Sequence, residues 1–380
     1  MSSTPRPLSR RGALLAGTAA LAGGLGLAGR TDAAVRVPGR ARSPLAALTP
    51  AQRAGQRVIH SYSGLTPPAG LMDAIREGRT AGVIFFGENI KNLSQIDGVI
   101  QEMNEANASA PVKAPLLLMT DQEGGMVRRL PGEPVLSAKD VGASTDPEGQ
   151  AEFTGSGAGM NLAGIGMNVN LAPVLDVYRT AGDFTDQYER SYSKDQEAVS
   201  TCGSAFITAQ QDAGVAATAK HFPGLGAASA GQNTDLGPVT LTTSASTLRG
   251  VDEVPYRAAI SAGTKLVMLS WAVYPALDAD RPAGLSATVV GELRNRLGFT
   301  GVTVTDALEA GALQAYGSTA KRSVLAASAG MDLILCSARD AGQGTEAVTA
   351  LSEALAAGAL DGAAFDAGAG RVNALRAGLS

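Results

Sequence analysis

Beyond residue 43 the chain is punctuated by eight short apolar runs, at 57–62, 82–86, 115–120, 167–171, 214–220, 265–270, 301–305 and 331–335. Between them lie Ala-rich stretches of helical composition, such as 150–163 and 289–297, with glycine near their ends. Short runs without polar alternation fit strands buried on both faces, the pattern of parallel sheets covered by helices. Eight strand and helix units over roughly 330 residues predict a single-domain parallel (β/α)8 TIM barrel, with a doubly wound open sheet as the alternative.

The polar residues that close these runs add to the picture. Asp121, Gln122 and Glu123 follow the third run, Asp176 the fourth, Lys220 and His221 the fifth, Trp271 the sixth and Asp306 the seventh. In a barrel the C-terminal ends of the strands converge on one face, so these residues should share a rim. A single Asp of this kind is more often a helix cap or a satisfied core group, but five such positions on one rim favour a site.

Composition narrows the classes. The 380 residues are 45% hydrophobic, enough for a sizeable core, and the net charge of −4 carries no basic footprint for nucleic acid. The chain has two cysteines, Cys202 and Cys336, and two histidines, His60 and His221. Neither pair has the spacing of a metal site, and no phosphate loop or dinucleotide fingerprint occurs, so no metal or cofactor is expected. Two separate buried thiols are favoured over one bridge.

Ser9, Arg10 and Arg11 precede an apolar run of small residues at 12–28, followed by Thr31, Asp32, Ala33 and Ala34. Paired arginines before such a run read as a twin-arginine export signal over 1–34, with cleavage near Ala33 or Ala34 and a linker over 35–42. A run of about 17 residues rich in Gly and Ala is poorly suited to be a membrane anchor. A secreted, extracytoplasmic protein without stable membrane insertion is expected, with 43–380 as its catalytic domain.

Six stretches carry a resemblance: GVIFFGENI from Gly82, LLLMTDQEGGMVRRLPG from Leu116, MNVNLAPVLDVY from Met167, AKHFPGLG from Ala219, VMLSWAVYPALD from Val267 and GVTVTDALEAGAL from Gly301. In this order they resemble glycoside hydrolase family 3, specifically its single-domain bacterial exo-β-N-acetylglucosaminidase branch, over 43–380. The resemblance implies a carbohydrate substrate, a retaining mechanism with Asp306 as nucleophile, and sugar contacts from Asp121, Arg129, Arg190, Lys220 and His221. A monomer is expected. Other readings of the same residues are an N-cap at Asp306 for a helix beginning near Ala307, a solvated loop arginine at Arg129 and a structural role for His221.

One departure from the pattern matters for the chemistry. In this branch the loop after the KHFPG run carries an Asp and, two residues on, a His that serves as general acid and base. Here Asp235 matches the Asp, Gly237 stands at the His position, Leu225 replaces a second His, and Trp271 stands where another often occurs. The expected proton donor is therefore a carboxylic acid, with Asp235 on a mobile loop first and Glu189, Asp183 or Asp186 behind it. Alternatives are an enzyme restricted to activated leaving groups and a non-catalytic glycan-binding barrel. The leading function is a secreted β-N-acetylhexosaminidase acting on cell-wall or chitin-derived glycans, with a β-glucosidase as the nearest alternative. A Schiff-base role for Lys220 is left unneeded by the rest of the pattern.

Overall fold

The computed structural model describes residues 47–379, so the export signal (1–34) and linker (35–42) lie outside the described residues. Eight strands form one parallel sheet: β1 (Val58–His60), β2 (Gly82–Ile84), β3 (Leu117–Thr120), β4 (Val169–Asn170), β5 (Ala216–Phe222), β6 (Leu266–Leu269), β7 (Val302–Thr305) and β8 (Ile334–Leu335). The spatial order β7-β6-β5-β4-β3-β2-β1-β8 is sequential around the ring. Between its ends a parallel bridge, Val304 to Leu333, closes the circle. The predicted barrel is correct and the open sheet is not.

Helices α1 (Ala69–Arg76), α2 (Leu93–Ala108), α3 (Pro147–Ala163), α4 (Gln196–Asp212), α5 (Val254–Ser261), α6 (Ala287–Gly291), α7 (Thr319–Ala329) and α8 (Ala341–Ala356) follow the strands in turn. Their starts are set by local chemistry. Asn92, Asp146, Asp195, Ser318 and Asp340 each accept backbone N–H groups as N-caps, which satisfies donors the helix itself leaves free. In α2, Ile96, Val99, Ile100, Met103 and Ala106 are buried at spacings of three and four, so one stripe faces the sheet.

Inside the barrel, Ile59, Ile84, Leu117, Met119, Val169, Leu171, Leu266, Met268, Val302, Val304 and Leu335 pack into one cluster, to which Val372 of the C-terminal helix Gly362–Ala377 also belongs. That helix closes the face where the strands begin. Buried Asp332 there binds Arg294 and Arg371, and Arg57 lies 4.2 Å from the Phe365 ring centroid. Charge held at this end serves stability and leaves the opposite face for chemistry. Cys202 and Cys336 are both buried and unbridged. Among the described residues no helix is long and apolar enough to cross a membrane.

Candidate active site

A cavity of about 560 Å³ opens at the C-terminal ends of the strands, and its wall includes Asp121, Glu123, Arg129, Arg190, Lys220, His221, Asp235 and Asp306. All seven residues expected from the sequence therefore meet at one place, joined by Glu123.

The β3 end explains how two carboxylates come to face the cavity together. Buried Gln122 turns back into its own loop: its Nε2 donates to the carbonyls of Leu130 (3.1 Å) and Glu133 (3.0 Å), and its Oε1 accepts from the backbone of Arg129 (2.9 Å) and Leu130 (3.0 Å). Successive side chains in extended backbone point to opposite faces, so with Gln122 turned away Asp121 and Glu123 share the other side. A short hairpin, Gln122–Gly124 with Val127–Arg128, brings the chain back toward the rim.

Lys220, in the buried strand β5, bridges these carboxylates, with Nζ 2.8 Å from Asp121 Oδ1 and 2.7 Å from Glu123 Oε1. Arg190 adds a two-pronged contact to Glu123, 2.9 Å from Nε to Oε2 and 2.8 Å from Nη2 to Oε1. Burial alone would push the Glu123 carboxyl up, but Arg190 and Lys220 outweigh it and hold it well below the usual carboxylate range. Burial would likewise lower the Lys220 ammonium, yet Asp121 and Glu123 raise it above its ordinary value. A lysine held protonated between two carboxylates is a poor amine nucleophile, which disfavours the Schiff-base alternative. Arg129 lies looser, with Nη2 3.8 Å from Asp121 Oδ2, while neighbouring Arg128 donates to the Gly132 carbonyl.

His221 follows Lys220 and turns to Asp176, the carboxylate after β4. Its Nδ1 is 2.8 Å from Asp176 Oδ2, and Asp176 Oδ1 accepts from the backbone of His221 (3.3 Å) and Leu225 (2.7 Å). The structural role weighed for His221 is thus real, and its ring still lines the cavity.

Asp306 follows β7 directly. The helix expected near Ala307 is absent: the segment continues as a 3-10 turn, Gly311–Tyr316, and α7 starts at Thr319. Tertiary hydrogen bonds replace helical ones here, because Gly311 N donates to the Asp235 carbonyl (2.9 Å) and Ala312 N to the Thr234 carbonyl (3.0 Å). Asp306 Oδ1 accepts from its neighbour Ala307 N at 2.7 Å, so it caps no helix. Trp271 is buried and donates Nε1 to the Ala307 carbonyl at 2.8 Å, bracing the residue beside Asp306. Glu309 also lines the cavity, but its oxygens accept from Ser337 Oγ (2.8 Å) and Gln343 Nε2 (3.1 Å), so they are already committed to the chain.

The loop bearing Asp235 is tied down on both sides. Besides the bonds to Gly311 and Ala312, the Ala228 carbonyl accepts from Phe184 N (2.9 Å) and the Ala230 carbonyl from Gln187 Nε2 (2.8 Å). A Cβ at Gly311 would stand 2.5 Å from the Leu236 carbonyl group, so glycine permits this approach. Asp235 N donates to Asn233 Oδ1 (2.8 Å), the turn role weighed for it, while its carboxyl faces the cavity. Asp235 keeps exposed surface at the mouth. Even so, crowding of water from the carboxyl, with the nearby Asp306 charge second, pushes it up to about 6. Gly237 has open space around its missing side chain and forms no part of the wall.

The reserve acids fare differently. Asp183 accepts the backbone N–H groups of Arg179 and Thr180, Asp186 pairs with Lys139, and Glu189 is exposed; none of the three lines the cavity. Among the described residues no group of three or more His, Cys, Asp or Glu side chains is arranged to hold a metal ion.

A barrel with carboxylates, arginine and lysine gathered at its C-terminal mouth has the build of an enzyme acting on a polyhydroxylated substrate. The model for the glycosyl hydrolase family 3 N-terminal domain matches residues 64–375, and the chain belongs to that family. It is a glycoside hydrolase. The chain is 47% identical over 336 residues to a secreted glycosyl hydrolase of Arthroderma benhamiae, covering 88% of this chain and 95% of that one. A family 3 β-N-acetylglucosaminidase from Paenibacillus sp. superposes with a TM-score of 0.82 at 34% identity, over 88% of this chain and 63% of the other. A β-N-acetylhexosaminidase from Beutenbergia cavernae gives a TM-score of 0.78 at 34% identity, over 87% and 98%.

Proposed function

We propose that this chain is a secreted retaining β-N-acetylhexosaminidase that removes terminal β-linked N-acetylglucosamine from cell-wall or chitin-derived glycans. The observation that carries the reading is the pairing of Asp306 and Asp235 on one cavity wall, with the Asp235 carboxyl pushed up to about 6, mainly by loss of water, beside the Asp306 charge. Environments that separate two carboxyls in this way divide the work between an acid and a nucleophile. The names of the Paenibacillus and Beutenbergia relatives support the sugar preference, and that of the Arthroderma relative supports secretion. Arg10 and Arg11 ahead of the small-residue run support a twin-arginine route, with 1–34 as signal and 35–42 as linker.

In this mechanism Asp306 attacks the anomeric carbon as the bond to the leaving oxygen breaks, and Asp235 gives that oxygen its proton. A glycosyl ester on Asp306 results. Asp235, now a carboxylate, takes a proton from water as the water attacks the same carbon, releasing the sugar and restoring both groups. Asp121, Arg129, Arg190, Lys220 and His221 hold the sugar hydroxyls, and Glu123 keeps the two central cations in place.

The test is a panel of aryl β-glycosides given to wild type and Asp306→Ala, with circular dichroism as a check on folding. Turnover of the N-acetylglucosaminide that disappears in the folded variant is expected. Faster cleavage of the glucoside would replace the sugar assignment, near-normal activity of Asp306→Ala would remove the nucleophile, and no turnover by wild type would favour a binding barrel.

A further inference from the structure

The polar atoms of the cavity are unevenly committed. Both oxygens of Glu123 receive N–H groups from Arg190 or Lys220, and Asp121 Oδ1 receives Lys220. Lys220, Arg190 and Arg129 offer donors only. Every hydroxyl of a bound sugar nevertheless carries a proton that needs an acceptor once water is gone. On the wall formed by β3, β4 and β5 the carboxylate oxygen left without a hydrogen bond is Asp121 Oδ2, 3.8 Å from Arg129 Nη2, so several hydroxyls would compete for it.

His221 can make up the shortage, and Asp176 decides whether it does. Asp176 is fully buried and receives three N–H groups from the end of β5 and the turn after it: the His221 backbone, the His221 ring at Nδ1 and the Leu225 backbone. A carboxylate so placed is an acceptor, so the proton of the imidazole belongs on Nδ1. Lys220 and Arg190 line the same wall and bring donors to it, so an acceptor is what His221 can add there. Nε2 is left as a lone pair on a ring lining the cavity.

We infer that Asp176 is a positioning residue that holds His221 as its Nδ1–H tautomer, so that Nε2 accepts a proton from a hydroxyl of the bound sugar. The two adjacent residues therefore serve the sugar with opposite polarity: Lys220 donates and His221 accepts. The same carboxylate sets the Leu225 backbone, so one side chain after β4 shapes two adjoining pieces of the β5 wall. The hydroxyl partner rests on the glycosidase reading above, whereas the tautomer does not.

The chain's two histidines make the test direct. His60 also sets Nδ1 on a hydroxyl, that of Thr80 at 2.9 Å, so the two rings are assigned through a His221→Gln variant. Long-range ring 15N spectra of the histidine-labelled protein near neutral pH should then show His221 itself with protonated Nδ1 and bare Nε2, and Asp176→Asn should perturb that ring alone, leaving the His60 signals in place. On an aryl glycoside the same variant should lose on the order of tenfold in kcat/KM, the scale of one hydrogen bond to a neutral acceptor, with Asp176→Glu partly restoring it. A protonated Nε2 on His221 in wild type overturns the inference, as does an Asp176→Asn variant with unchanged ring signals and unchanged kcat/KM. If Asp176→Asn does not fold, the wild-type spectrum still decides. A bare Nε2 in a protein that cleaves no aryl glycoside would leave the tautomer standing and remove the glycosidase reading instead.

Discussion

Replacing Asp235 by Asn removes one ionisable proton from the cavity while keeping the shape of the side chain. Loss of water around the carboxyl, with the Asp306 charge second, pushes it up to about 6. At pH 7 such a group is protonated in about one molecule in ten, whereas a carboxyl at an ordinary value near 4 is protonated in roughly one in a thousand. With Asp235 as the proposed general acid, the surroundings would raise its protonated supply on the order of a hundredfold at neutral pH. A sugar leaving group, which departs poorly as an alkoxide, should lose about 10²- to 10⁴-fold in kcat/KM in Asp235→Asn, and a nitrophenolate should lose much less. Wild type acting on the sugar should also lose activity above about pH 6, approaching tenfold per pH unit, and this limb should be missing from the variant. The assay is kcat/KM for a disaccharide and a nitrophenyl glycoside, measured from about pH 4.5 to 8.5 with both proteins. Equal losses on the two substrates, or a basic limb that survives in the variant, would refute the assignment of Asp235 as acid.

Other consequences follow from the buried charges. Glu123→Ala leaves Lys220 and Arg190 without their shared carboxylate, so thermal melting should report a loss of about 3 kcal/mol or more; an unchanged melting temperature would mean the cations find water. Asp252, paired with Arg179 below the Gly224 turn, is pushed up to about 7, chiefly by burial. Because the native state holds a proton that the unfolded chain releases near pH 4, stability should fall as pH rises from about 4 to 7 and level off above. Asp252→Asn should flatten that slope in melts across the range, and an unaltered slope would place the titration elsewhere. Gly311→Ala should lower both stability and kcat, since its Cβ would meet the Leu236 carbonyl; a variant with wild-type melting and turnover would show that the loops can part.

Much of the barrel is legible in the chain because strands buried on both faces leave continuous apolar runs; seven of the eight runs contain a barrel strand, and the fifth overlaps β5, which continues to Phe222. The short lengths of β4 and β8, two residues each, are not legible, since they depend on where neighbouring loops turn away. Around Ala307 the composition misleads: 307–316 has helix-forming residues, but bonds to the Asp235 loop take the backbone donors of Gly311 and Ala312. At the site, Asp121, Lys220 and Asp306 can be found because each closes an apolar run. Glu123 carried a usable signal, two residues from Asp121 and thus on the same face of extended backbone. Asp176 also closes a run, yet its bond to His221 depends on the adjacency of β4 and β5. Glu309 carries no comparable mark, because its partners Ser337 and Gln343 come from beyond β8.

The close approach of Gly311 to Leu236 gives the cavity a common chassis. Backbone, rather than a hinge or a side chain, joins the segment after Asp306 to the segment bearing Asp235. A displacement of either backbone segment should therefore carry the other with it, keeping the two carboxyls in one frame. A donor on a free loop must be delivered anew in each cycle, and its proton affinity changes with the journey. With Asp235 as the proposed donor, the proton affinity would belong to the scaffold, and turnover would not wait on a closing lid.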